Sequence, residues 1–159
     1  MSGPSTTHTI LYATGIVLSL LVWTIAAGLI DKYDEGFVYN GNFDAANAVL
    51  AWGLISWVYY IAALVVLLFV SSSNIFVSII VDVTIMGFLW LFGIVSTGCL
   101  SDVANWFRWL AGEHIKSGSL GQATLAFAWL LVFLQLGTLL YEVIYTMRHY
   151  GGSMGTWRQ

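Results

Sequence analysis

Four uninterrupted apolar runs, each long enough to cross a bilayer as a helix, leave this chain few folds to choose from. A hydrocarbon core about 30 Å thick needs about 20 apolar residues at helical rise. Residues 10–30 and 46–70 reach that length without a charge, residues 75–100 carry only Asp82, and residues 122–147 carry only Glu142. In hydrocarbon every backbone amide must find its partner within its own segment, so each run is predicted to be a helix. The alternating pattern of a membrane β-barrel is absent. The expected fold is an all-α membrane protein. It is a left-handed four-helix transmembrane bundle in one domain over 1–159, with a short interfacial helix between spans three and four.

Composition supports the same class. Apolar residues make up 59% and charged residues 8%, against about a quarter charged in a soluble domain, so a normal water-facing surface and a disordered chain are both excluded. Eight acids against five bases, with no basic block, disfavour nucleic acid as a partner. One cysteine, Cys99, leaves no internal disulfide, CxxC pair or Cys-rich zinc site. Residues 1–9 hold no Lys or Arg, so the first run is expected to be a retained span and not a cleaved signal.

The connections differ in character. Residues 31–44 read as an acidic and aromatic loop, with Asp31, Asp34, Glu35 and Asp44 among Tyr33, Phe37, Tyr39 and Phe43. Residues 71–74 are so few that spans two and three must be antiparallel neighbours. Residues 101–121 form the longest connection, and the glycine-bearing tail after Arg148 is expected to be mobile. Four spans place both termini on the side of residues 71–74, with Arg148 and Arg158; Lys32, Arg108 and Lys116 lie opposite. Counting bases favours outside termini, whereas Arg148 at the end of the last span favours a cytoplasmic C-terminus, so charge leaves the orientation open.

The intramembrane polar residues are Asp82, Gln135, Thr138 and Glu142. A carboxylate at mid-bilayer depth costs about 2.5–3.5 kcal/mol on insertion scales, so such groups should face protein. Helical spacing puts Asp82, Met86, Leu89 and Gly93 on one stripe of span three. On span four the stripe is Thr124, Ala128, Leu131, Gln135, Thr138, Glu142 and Tyr145. Asp82 near the start of span three and Glu142 near the end of span four could lie at one depth, where two facing carboxyl groups would compete for a proton. One reading makes them a proton or cation relay. The other makes them interhelical ties to Thr84, Gln135, Thr138 or a tyrosine hydroxyl. Gly87, Gly93 and Gly137 are expected helix-packing positions, with Gly15, Ser19, Gly28, Gly53, Ser56 and Ala62. Gly93 with Thr97, and Ser19 with Trp23, are alternatives for contacts between subunits.

Within 101–121, Val103, Trp106, Phe107 and Leu110 fall at helical spacing, with Asn105, Arg108, Gly112 and Lys116 on the other face. A short helix capped by Ser101 or Asp102 and ended by Gly118 is predicted. Trp106, Phe107, Arg108, Trp109 and Leu110 are its candidate contacts, with the bilayer surface, the bundle end or a partner. Trp57 and Trp90, deeper in their spans, suit packing or lipid contact.

His8, His114 and His149 fall outside the expected spans, which disfavours a bundle haem. Neither HExxH, Walker A, GxSxG nor a dinucleotide fingerprint occurs. No catalytic residue, cofactor or metal is therefore expected. Cys99 is expected as a buried or interfacial thiol.

Two stretches carry a family resemblance. One is 79–98, IIVDVTIMGFLWLFGIVSTG, with an acid near the start of span three and an aromatic, small-residue run behind it. The other is 126–148, AFAWLLVFLQLGTLLYEVIYTMR, an aromatic-rich last span ending in a base. With the short connection between spans two and three, this segment order resembles the MARVEL family of four-span proteins. The resemblance implies cytoplasmic termini, both longer loops and Cys99 on the exoplasmic side, and roles in membrane organisation, apposition or trafficking without catalysis.

The function expected is a non-enzymatic scaffold that partners lipids, itself or other membrane proteins, in the plasma membrane or alternatively an organelle membrane. An accessory subunit of a respiratory, pump or synthase complex, and a small transporter using Asp82 and Glu142, are the alternatives.

Overall fold

A computed structural model gives the architecture over residues 6–33, 40–69, 79–113 and 116–150, and the description is confined to these. Five helices follow one another: α1 (Thr6–Tyr33), α2 (Asn40–Phe69), α3 (Ile79–Ser101), α4 (Ala104–Gly112) and α5 (Lys116–Tyr150). No strand occurs among the described residues. The four long helices have the length and apolar composition to cross a membrane. They close into an antiparallel ring in which α1 packs on α2, α2 on α3, α3 on α5 and α5 on α1.

The helices run further than hydropathy suggests. Tyr33 and Asp44, read as loop, belong to α1 and α2, and much of 101–121 is helical. Intrahelical hydrogen bonding continues past the hydrophobic boundary because a helix end exposed to water needs no apolar side chains. Residues 34–39, the 71–74 connection, His114 and the tail beyond 150 lie outside the described residues.

The core is built in layers between the spans. Val22, Val49, Trp52, Leu89, Ala128 and Leu131 are buried near the middle, with Leu29, Ala46, Leu100 and Phe107 towards the α4 end. The outward faces carry Val17, Ile55, Val58, Phe88, Val95 and Phe133. Such a surface fits hydrocarbon, where leaving apolar groups outside carries no penalty.

Close approach is concentrated at three glycines. A β-carbon at Gly15 would stand 2.6 Å from Tyr60 Cζ, one at Gly93 2.6 Å from Trp52 Cε2, and one at Gly53 3.1 Å from Trp23 Cβ. Gly28, Gly87 and Gly137 have nothing within 4 Å of that position. Gly87 on α3, half-buried, and Gly137 on α5, exposed, thus have open space where a side chain would stand. Ser19, Gly93 and Thr97, weighed above as contacts between subunits, are buried inside one chain.

The short helix α4 docks on α5. Phe107 and Leu110 are buried, while Arg108 and Trp109 are exposed. No side chain caps its N-terminus: the Ser101 hydroxyl donates instead to the Thr97 carbonyl at 2.8 Å and accepts from Trp129 Nε1 at 3.1 Å. Gly118 does not end α4 either. It lies in α5, where a β-carbon would stand 2.7 Å from the Phe107 carbonyl oxygen, so its role is to admit α4.

Candidate functional site, a polar cluster between three helices

The inward stripe of α5 is polar where a lipid-facing stripe would be apolar. Thr124, Gln135, Thr138 and Glu142 are all fully buried, on the same face as Ala128 and Leu131. Antiparallel packing brings the last part of this stripe against the first turn of α3, where Asp82 sits, and against the start of α1.

Tyr12 of α1 joins the two acids. Its hydroxyl donates to Asp82 Oδ2 at 2.5 Å and lies 2.9 Å from Glu142 Oε1. Three carboxyl and phenol oxygens from three helices thus meet at the Tyr12 hydroxyl. His8, one helical turn before Tyr12, is 4% exposed. Its ring meets Tyr141 at 5.0 Å and Tyr145 at 5.6 Å edge-on. Asp82 itself is partly buried.

Towards the middle of the bundle the stripe continues through α2. Gln135 Nε2 donates to Ser56 Oγ at 3.0 Å, and the Tyr60 hydroxyl donates to the Met86 sulfur at 3.8 Å. Gln135 Oε1 has no hydrogen-bond partner among the described residues. Beyond this layer Trp52 fills the core, donating from Nε1 to the Leu89 carbonyl at 2.8 Å across α3.

Of the residues singled out in the sequence, Asp82, Gln135, Thr138 and Glu142 all lie along this interior. Trp106, Phe107, Arg108, Trp109 and Leu110 belong to α4 at the opposite end. Thr84 faces outward on α3, away from the stripe that carries Asp82. Two members were not evident in the sequence. His8 was placed outside the spans, yet α1 starts at Thr6 and buries it. Tyr12 sits in an apolar run whose helical moment is almost nil, so periodicity gives no inward face. The available signal was chemical: span one's only phenol near the depth of two acids that need a donor.

Among the described residues no group of three or more His, Cys, Asp or Glu side chains could hold a metal ion. Cys99 is exposed on the outer side of α3 and is not part of the cluster. Comparison with family models, with curated proteins and with solved structures finds no significant match.

Proposed function

We propose that this chain is a non-catalytic integral membrane protein that organises its membrane by packing against copies of itself or against other membrane proteins. The observation that carries this reading is the division of the molecule into an inward polar stripe and an outward surface of apolar side chains. The polar groups are tied helix to helix through Tyr12, Asp82, Glu142, Gln135 and Ser56. What remains outside suits lipid or another helix. Gly87 and Gly137, which carry no neighbour, support helix association, since small residues let backbones of separate chains meet closely. The MARVEL-like order of segments supports a membrane-organising role, with the plasma membrane as its proposed place.

Native gel migration of the full chain in mild detergent tests the reading. A ladder of self-oligomers that shortens in Gly137→Leu supports association through the chain's own helices. A single fixed heteromeric band from native membrane makes it an accessory subunit instead. A monomer in both preparations removes the proposal.

A further inference from the structure

The two contacts that Tyr12 makes with the acids need one more hydrogen than the phenol owns. A phenol carries one hydrogen and an ionised carboxyl group carries none. Tyr12 therefore supplies one hydrogen to two contacts, one with Asp82 Oδ2 and one with Glu142 Oε1. With both acids ionised, one of these two contacts has no hydrogen, and two like charges would adjoin in an apolar surround where their repulsion is weakly screened. With one additional proton, the phenol donates to the carboxylate and accepts from the neutral carboxyl group, so each contact has its own hydrogen. We infer that Tyr12, Asp82 and Glu142 form a binding site for one proton, and that the bound proton ties α1, α3 and α5 together at the residue-6 end of the bundle.

The surroundings agree with a site that exchanges with one side only. The facing titratable groups are His8 on α1, Tyr60 on α2, and Tyr141 and Tyr145 on α5. His8 stands between the cluster and the helix end, well placed to pass the proton to and from water. Inward, the polar stripe ends at Gln135, fully buried and with Oε1 lacking a partner among the described residues. Trp52, Ala128 and Leu131 fill the core beyond it. A dead end of this kind favours a switch over a through-path. The chemistry is a single transfer: the carboxyl O–H bond breaks, the proton passes to water, and the electron pair stays on the carboxylate oxygen. The inference goes beyond the assembly reading and does not depend on it.

The full chain in lipid nanodiscs provides the test. Infrared absorption in the carbonyl region separates a neutral carboxylic acid from a carboxylate, and thermal unfolding reports the tie. The wild type is expected to show a neutral-acid band at neutral pH that disappears as pH is raised above neutral. The midpoint should fall over the same interval by about 5 °C or more. Asp82→Asn with Glu142→Gln removes both acids while keeping their shape, and should lack the band and show no such fall. A wild type without the band at neutral pH overturns the inference, and so does a double variant whose midpoint follows the wild-type profile. The wild-type infrared reading decides the matter even where the double variant fails to fold.

Discussion

Tyr12 and Glu142 stand 130 positions apart in the chain and 2.9 Å apart in the structure. Because the same hydroxyl also reaches Asp82, one atom of α1 joins α3 to α5. Tyr12→Phe removes that atom and keeps the ring that packs against His8 and Tyr60. Hydrogen bonds to charged groups contribute about 1.5–3 kcal/mol, so the variant is expected to lose about that much stability in detergent unfolding. Tyr59 is the control, since its hydroxyl is buried without a partner among the described residues. Tyr59→Phe should stay within about 0.5 kcal/mol of wild type. Equal losses in the two variants would show that the shared hydroxyl contributes nothing special.

The sequence carried the spans and the α5 stripe because both rest on strong local rules. A run of 20 apolar residues has one solution in lipid, and polar residues at 3–4 spacing on an apolar helix have one sensible face. Where α1 turns was not legible, since it is apolar all round and only its neighbours fix its rotation. Tyr12, Gly15 and His8 therefore became inward residues only once α2 and α5 were in place. Glycine gave the same lesson: Gly93 meets an indole and Gly87 meets nothing, although both lie in one helix of similar composition. Gly118 reads as a helix end because close approach between α4 and α5 calls for the same residue type as a C-terminal cap.

Gly93 and Gly87 should consequently respond in opposite directions. A β-carbon at Gly93 would stand 2.9 Å from Trp52 Nε1, whose bond to the Leu89 carbonyl crosses from α2 to α3. Gly93→Ala must push the indole aside, and overpacking of this kind costs about 1–3 kcal/mol. Gly87→Ala meets open space and gains helix propensity, so it should leave stability unchanged or raise it by up to about 1 kcal/mol. Unfolding midpoints of both variants, with tryptophan emission as the probe of Trp52, check the contrast. A harmless Gly93→Ala would mean that α2 and α3 are further apart than described.

Ser56 and Gln135 form an interhelical bond whose two ends should not be equivalent. Removing Ser56 alone leaves the Gln135 amide buried with both its polar atoms unserved, since Oε1 already has no partner among the described residues. Leaving a buried polar group unsatisfied costs about 1–3 kcal/mol, whereas replacing both partners with apolar groups is close to neutral. Ser56→Ala is therefore expected to be less stable than the double variant Ser56→Ala with Gln135→Leu. A double-mutant cycle in detergent measures this directly. Additive losses from the two substitutions would contradict the buried pairing.

The docking of α4 rests on one aromatic side chain and the absence of another. Phe107 is fully buried, and a β-carbon at Gly121 would stand 2.6 Å from its Cε1, so the ring lies flush against the α5 backbone. Leu110 is the other buried residue of the helix, while Trp109 remains outside. Nine residues make a helix too short to persist alone. Phe107→Ala should therefore release α4 as a unit while the four long helices stay folded. The ring's loss is worth about 3–5 kcal/mol where it cannot be refilled, which exceeds what such a helix retains on its own. Amide exchange across 104–112 should rise to that of an open segment, and exchange in 124–142 should stay slow. Gly121→Val, which obstructs the ring from the opposite side, should give the same pattern. Persistent protection of 104–112 in both variants would show that α4 is held by the bilayer and not by α5.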